Sequence, residues 1–375
     1  MYVYLDNSAT TKPCDAAVKK ALQMCTEGFG NPSSLHMCGF NAKRELDNAR
    51  TTVSKFLSCG ENEVFFTPSG TIANFTAIMG TARTKRREGK KIITTLLEHP
   101  SILKNFELLG EYGFEPVYLK PEKNGKINLE ELSNAIDENT ILVSVMAVNN
   151  EVGSIQDIDK IKDIIRAKKS KAYFHCDAVQ AFGKIPFKPK KMDIDLMSMS
   201  AHKIHGLKGA GALYVNSAIR LMPAIAGGGQ ENGLVSGTEA MPAICAFAAA
   251  VNDIGNVESN LNKVNEVKSY FVGKISELER VYVNSPENSL PYIINISVEG
   301  VPSQVMLNSL SSMGIYVSAG SACAKGHRSD VLTAMGIPPA RIDSAIRISL
   351  SKTTTENDMD LLYNGIKETV KRVRR

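Results

Sequence analysis

Three residues far apart in this chain each sit in a setting suited to chemistry: Lys203 in SMSAHKIHG, Asp177 in FHCDAVQAFGK and Cys323 in SAGSACAKGHRSDVL. A lysine amine forms Schiff bases with carbonyl compounds, and a buried carboxylate holds a proton on a pyridine nitrogen. A thiol in a loop of small residues is placed to attack sulfur. Together they point to pyridoxal phosphate chemistry directed at sulfur.

Each residue has a plainer reading when taken alone. Lys203 follows the run DIDLMSM and is flanked by Ser200, His202 and Gly206, so its amine emerges at the carboxyl end of a strand, where open α/β sheets place ligands. An isolated lysine there is a surface residue. Asp177 closes the run AYFHC and by itself passes equally for a helix cap. Gln180, three residues on, shares its face if a helical turn begins at that point. The segment EVFFTPSGTIANF passes from a strand through Ser69, Gly70 and Thr71 into a helix, presenting backbone amides and hydroxyls to an anion such as phosphate. His99, in LLEHPS, opens onto the same edge, where an imidazole can stack on a ring and move protons, or simply make a turn.

Behind Cys323 come Lys325, His327 and Arg328, cations that favour a thiolate, and the glycine-bounded loop can carry the sulfur toward a substrate. The bland alternative is a small buried hydrophobe, as the other six cysteines are read. Arg347, in IRISL, can clamp a carboxylate with its planar fork or make an ordinary ion pair.

These residues must be held by an alternating frame. From Glu63 to Val215, the runs EVFFT, KIITTLL, PVYLK, TILVSVMAV, AYFHC, DIDLMSM and GALYV alternate with segments of helical spacing, which predicts a mostly parallel α/β sheet with helices on both faces. Gly80 and Gly113 are helix stops or tolerated interior positions. The polar run NVESNLNKVNEVKSYFVGKISELE predicts a long bridging helix, and YIINISV, IYVSAG and SAIRISL predict a smaller α+β unit after it.

Composition narrows the class. The chain has 375 residues with 44 Lys plus Arg against 39 Asp plus Glu, scattered and without one large patch, so charge gives no reason to expect direct nucleic-acid binding. The clusters TKRREGKK and VKRVRR read as solvated helix ends. Seven cysteines show no CxxC and no zinc spacing, so no metal is expected and a reducing, cytoplasmic setting fits. No run is long and apolar enough to span a bilayer, which predicts a soluble, uncleaved chain without a membrane partner.

Taken together, LDNSATT, EHPS, NNEVG, CDAVQ, SAHKIHG, SGT after the glycine cluster, GSAC and IRISL resemble the NifS/IscS-like cysteine desulfurases of the class V aminotransferase group, fold type I pyridoxal phosphate enzymes. The likeness spans nearly the whole chain. It implies a large cofactor-binding domain over residues 13–256 and a smaller α+β domain from residues 1–12 and 257–375 that carries the cysteine loop. It implies that Lys203 carries pyridoxal 5′-phosphate as a Schiff base, that His99 stacks on the ring, that Asp177 binds the pyridine nitrogen and that Gln180 binds the phenolic oxygen. Gly70, Thr71, Ser200 and His202 would hold the phosphate, and Thr238 would reach it from the partner subunit of a homodimer with shared sites. Asn150 and Arg347 would bind the carboxylate of L-cysteine, with Asn150 also at the cofactor. Cys323 would take the sulfur as a persulfide for an acceptor protein, a cluster scaffold or a tRNA thiotransferase.

The motifs also depart from the family pattern. Ser69 and Ile72 stand where Gly and Glu are usual, Leu207 replaces a proline, and Asn232 and Val235 occupy usual arginine places. A selenocysteine lyase, a cysteine sulfinate desulfinase, an aminotransferase and a scaffold that has lost catalysis therefore stand as alternatives.

Overall fold

The computed structural model describes residues 2–319 and 328–374. A short strand, β1 (Val3–Tyr4), precedes two helices, α1 (Asp15–Thr26) and α2 (Met37–Leu57). Then come β2 (Val64–Thr67), α3 (Gly70–Lys85), β3 (Lys91–Thr95), α4 (Pro100–Glu111), β4 (Glu115–Leu119), α5 (Leu129–Ala135), β5 (Thr140–Met146), α6 (Ile158–Ala167), β6 (Tyr173–Asp177), β7 (Leu196–Ser200) and β8 (Gly211–Val215). Among the described residues β2 to β8 form one sheet in the order β2-β8-β7-β6-β5-β3-β4. Only β8 runs against the others, pairing antiparallel with both β2 and β7. The mostly parallel sheet expected from the alternating runs is therefore present.

The central strands are apolar because both faces are covered. Every residue of β5, β7 and β8 is buried, which is the pattern of a parallel sheet sandwiched by helices and not of a half-wet one. The amphipathic helix α6 buries Ile158, Ile161 and Ile165 on one face. Gly113 does end a helix, with φ of 82° just beyond α4, whereas Gly80 lies inside α3, where an added Cβ would meet Leu221 and the Met222 carbonyl.

The chain continues through α7 (Met241–Asp253), α8 (Val257–Ile275), β9 (Val281–Val283), β10 (Ile293–Val298), α9 (Ser303–Ser312), β11 (Ile315–Tyr316), α10 (Asp330–Ala334), α11 (Pro339–Asp343), β12 (Ala345–Ser349) and α12 (Glu356–Val373). A second sheet has the order β12-β10-β9 and is antiparallel. The expected long polar helix is α8.

The amino-terminal segment belongs with this later part of the chain. Val3 pairs with Ile315, Asp6 bridges to Ser349, and Asn7 Nδ2 donates to the Ser349 carbonyl at 2.8 Å. Helices α1 and α2, packed on α7, were not expected from the sequence. Their entry signals are weak: the N-cap of α1 is Cys14, which makes no side-chain cap bond, and that of α2 is His36, an uncommon cap.

Two smaller expectations are corrected. Lys85, within TKRREGKK, is not solvated: it is buried, with its ammonium 4.4 Å from the Tyr173 ring centroid and 2.8 Å from Glu88. Of the six cysteines read as buried hydrophobes, only Cys176 and Cys245 are buried, while Cys25 and Cys38 are exposed.

Candidate active site

The carboxyl ends of the parallel strands converge on one edge of the large sheet. Asp177 ends β6, Ser200 ends β7, and the segments after β3 and β5 bring His99 and Asn150 to the same edge. Loops at that edge are free to vary while the strands stay fixed.

Asp177 is 5 % exposed and held from two sides. Asn74 Nδ2, from α3, donates to one carboxylate oxygen at 2.8 Å, and the Val179 amide donates to the other at 2.9 Å. The same Asn74 nitrogen donates to Ser101 Oγ at 2.9 Å. Ser101 Oγ lies 2.8 Å from His99 Nδ1, and the Ser101 amide also donates to that nitrogen at 3.1 Å. Because a backbone amide can only donate, Nδ1 is the unprotonated nitrogen, and neutral His99 carries its proton on Nε2. Burial holds the His99 pKa below its ordinary value, and Lys203 pushes the same way while Asp177 opposes both. The ring is thus neutral near pH 7, and the residue keeps exposed surface at the site. Asn74 is the member of this chain of bonds that residue chemistry did not single out. Its spacing in GTIAN gives no warning that it bridges Asp177 at the end of β6 and Ser101 in α4.

Lys203 lies in the tight turn after β7, half-buried. Its Nζ donates to the carbonyls of Ser8 and Ala9, the latter at 2.8 Å. Burial, then the nearby Arg347 guanidinium, lower its pKa to about 8 against the opposing pull of Asp6 and Asp177. An amine so poised is a far better nucleophile at neutral pH than an exposed lysine. The turn itself is clamped by Thr11, whose amide and hydroxyl both donate to the His202 carbonyl, at 2.9 and 3.0 Å.

Gln180 is buried beneath this turn, and its Nε2 donates to the Ser8 carbonyl at 3.0 Å. The helical turn expected after Asp177 is present, with the Phe182 amide donating to the Ala178 carbonyl at 2.7 Å. His202 Nδ1 lies 3.2 Å from Thr10 Oγ1, and burial and the lysines around it lower its pKa to about 4, so its ring is neutral.

The start of α3 offers an anion cradle. Ser69 caps it by accepting from the Ile72 amide at 3.2 Å, Thr71 is exposed, and a Cβ on Gly70 would sit 3.0 Å from Val179 and 3.3 Å from Ser200. The serine that replaces the usual glycine at 69 is thus used as an N-cap. Across from Gly70, Ser200 Oγ is buried without a hydrogen-bond partner among the described residues. A hydroxyl left free beside a helix amino end is chemically suited to an anion's oxygen.

Arg347, on β12, is buried; its Nη1 donates to the Asn150 carbonyl at 3.0 Å and its Nη2 lies 2.8 Å from an Asp6 carboxylate oxygen. Nε has no partner. The sequence left an ion pair and a carboxylate clamp both open at this position. The guanidinium here makes the ion pair and keeps one donor free.

The remaining expected residues lie elsewhere or outside view. Thr238 is exposed on a loop with the glycine cluster. Cys323, Lys325 and His327 lie outside the described residues. Arg328, read as a cation beside the thiol, is committed to Asp343 by two bonds of 2.7 and 2.8 Å. Val235 is buried in an apolar cluster with Leu213, Val215 and Leu234, so the position where an arginine is usual has become packing.

Comparison with known proteins places this geometry. Residues 3–362 match the family described as Aminotransferase class-V. The chain belongs to the class V aminotransferase family. Within that family it is 38 % identical over 376 residues to the cysteine desulfurase IscS of Methanosarcina thermophila, covering 99 % of this chain and 93 % of the relative. It is 37 % identical to the putative cysteine desulfurase IscS 1 of Bacillus subtilis, covering 99 % of each. Among solved structures it superposes on a NifS-like protein with a TM-score of 0.94 and 36 % identity, over 99 % of this chain and 100 % of that one. It also superposes on SspA in complex with cysteine, with a TM-score of 0.83 and 31 % identity, over 94 % and 99 % of the two chains. The resemblance read from the short motifs to the NifS/IscS-like branch of class V is thereby borne out.

Proposed function

We propose that this class V protein is a pyridoxal 5′-phosphate-dependent cysteine desulfurase, which converts L-cysteine to L-alanine and passes the sulfur through a persulfide on Cys323 to an acceptor. The observation that carries the reading is the convergence of Asp177, Gln180, Ser200 and the depressed amine of Lys203 at one sheet edge. The full-length likeness to proteins named cysteine desulfurase supports the choice of substrate.

The residues present fit the cofactor. Lys203 would hold its aldehyde carbon, Asp177 its ring nitrogen and Gln180 its phenolic oxygen, with His99 against the ring. The α3 start with Gly70 and Thr71, the unpartnered Ser200 hydroxyl and His202 would hold the phosphate. When bound, the cofactor supplies an electron sink that labilises bonds at the substrate's α-carbon and makes its sulfur open to attack. The chain does the rest. Asp177, oriented by Asn74 and the Val179 amide, would favour a proton on the ring nitrogen. Neutral His99, held through Nδ1, offers Nε2 for proton transfer. Arg347 and Asn150 receive the substrate carboxylate, with the guanidinium's partnership with Asp6 supplying an anion to be displaced or shared.

In this reading residues 13–256 form the cofactor-bearing unit and residues 1–12 with 257–375 the unit that bears Cys323. The protein acts as a homodimer in which Thr238 serves the partner's phosphate. Support for self-association is the run of exposed large apolar side chains Leu22, Phe29, Leu35, Met37 and Phe40, more than a solvated surface ordinarily shows together. The sulfur acceptor is a protein, either a cluster scaffold or a tRNA thiotransferase, and the setting is the cytoplasm; among the described residues no helix is long and apolar enough to cross a membrane.

The test is direct. Purified protein loaded with pyridoxal phosphate is incubated with L-cysteine and a thiol reductant, and alanine and sulfide are measured. Equal amounts of the two, lost in Cys323→Ser, are expected; release of neither sinks the reading. Turnover of selenocysteine or cysteine sulfinate that survives Cys323→Ser, with none of cysteine, favours the lyase alternatives instead.

A further inference from the structure

Lys184 is a lysine with almost no exposure, 6 %, and the charges it feels are those of two other cations, Lys203 and Arg347. Burying an amine among like charges is unfavourable, and a methionine would fill the same space without that penalty. The ammonium lies 5.9 Å from the Tyr292 ring centroid, at the outer limit of a cation–π contact, which offsets only part of that cost. Its geometry supplies a reason for the amine. Lys184 lies one helical turn after Gln180, just past Gly183 with φ of 74°, and its Nζ donates to Gln180 Oε1 at 2.9 Å. At the other end of the same carboxamide, Nε2 donates to the Ser8 carbonyl, which also accepts from Lys203 Nζ. A carbonyl can only accept, so an amide turned end for end would set oxygen against oxygen at Ser8 and donor against donor at Lys184.

We propose that Lys184 is a positioning residue of the site: by holding Gln180 Oε1 it fixes the carboxamide so that its N–H groups face Ser8 and the place that receives an anionic oxygen of the cofactor. This rests on the reading that Gln180 meets the phenolic oxygen of pyridoxal phosphate. Lys184 touches neither cofactor nor substrate and acts through Gln180. The depressed pKa of Lys184, about 7, accords with an amine kept out of water for this purpose.

The experiment is a double-mutant cycle on the holoenzyme with Lys184→Met, Gln180→Ala and the double variant, plus Lys184→Gln, which keeps an N–H donor but drops the charge. The readouts are the dissociation constant of pyridoxal phosphate, the pH midpoint of the visible band of the loaded protein, and kcat. Lys184→Met is expected to weaken retention by about tenfold and shift the midpoint, with no added effect once Gln180 is Ala, while Lys184→Gln stays within about threefold of wild type. Equal effects of Lys184→Met with and without Gln180, or a midpoint unchanged from wild type, overturn the inference. If Lys184→Met does not fold, Lys184→Ala replaces it.

A readout independent of loading separates this inference from the function it rests on. In the cofactor-free protein labelled at glutamine side-chain nitrogen, the two Gln180 carboxamide protons should give distinct, slowly exchanging signals that broaden or merge in Lys184→Met. Identical signals in both proteins refute the positioning role. Failure of wild type to take up pyridoxal phosphate, with the signals behaving as expected, refutes the functional reading alone.

Discussion

The floor of the site and its rim are built differently. The floor is carried by strand ends, the turns directly after them and helix α3: Asp177, Ser200, Asn74 and Gln180 are buried and Lys203 half-buried, and Asp177, Asn74, Gln180 and Lys203 bond to backbone or to other side chains of the site. The rim consists of Thr71, Asn150 and Thr238 on exposed or half-exposed segments, together with Arg347 from the other sheet, which is buried but paired with Asp6. Groups that must not move are placed where the large sheet allows no movement. Groups that meet a changing ligand are placed where different parts of the chain come together.

If that division is right, damage to the floor abolishes cofactor chemistry and damage to the rim weakens substrate binding. The largest effect is expected for Lys203→Ala, which should remove the visible absorbance of the loaded protein and lower desulfurase turnover by about 1,000-fold or more. Retention of the visible band would break the comparison at its root. Next comes Asp177→Asn, which keeps the shape but removes the charge; kcat should fall roughly 10- to 100-fold, the worth of one charged hydrogen bond, with KM little changed. Arg347→Lys should leave the visible band intact and raise KM for cysteine about tenfold, because an ammonium cannot reproduce the planar fork. A change in kcat alone would move Arg347 from rim to floor.

A separate prediction, on stability and not on activity, concerns pH. Lys184 has a pKa of about 7 in the folded protein against an ordinary value of 10.5, so the unfolded chain holds more protons between those limits. Stability of the cofactor-free protein should therefore rise as pH increases from 7 toward 10, by up to about 1.4 kcal/mol per pH unit relative to Lys184→Met, and the advantage of the variant should be greatest below pH 7. Melting temperatures of both proteins across that range measure it. Parallel curves would show that the buried amine is not desolvated.

The floor was largely legible in the sequence and the rim was not, for a physical reason. Asp177, Lys203 and Ser200 end or follow β-branched and apolar runs, and strand ends in a parallel sheet must converge, so local pattern alone brings them together. Nothing local says that Asn74, inside a helix, ties Asp177 to Ser101, or that the carbonyls of Ser8 and Ala9 serve Lys203 from nearly two hundred residues away. The pairing of Arg347 with Asp6 escapes for the same reason, as it joins the second sheet to the start of the chain. Helices α1 and α2 were missed because their N-cap positions, Cys14 and His36, lack the Ser, Thr, Asp or Asn that marks most helix starts.

Residues 5 to 11 are stitched on one side to Ser349 and Arg347 and on the other to His202 and Lys203. The protein is therefore a poor subject for dissection: a fragment starting at residue 13 would retain the lysine yet strip it of both carbonyl acceptors. Equally, a substitution at Asp6 or Ser349 reaches the surroundings of the reactive amine through this ribbon, although neither residue touches the amine.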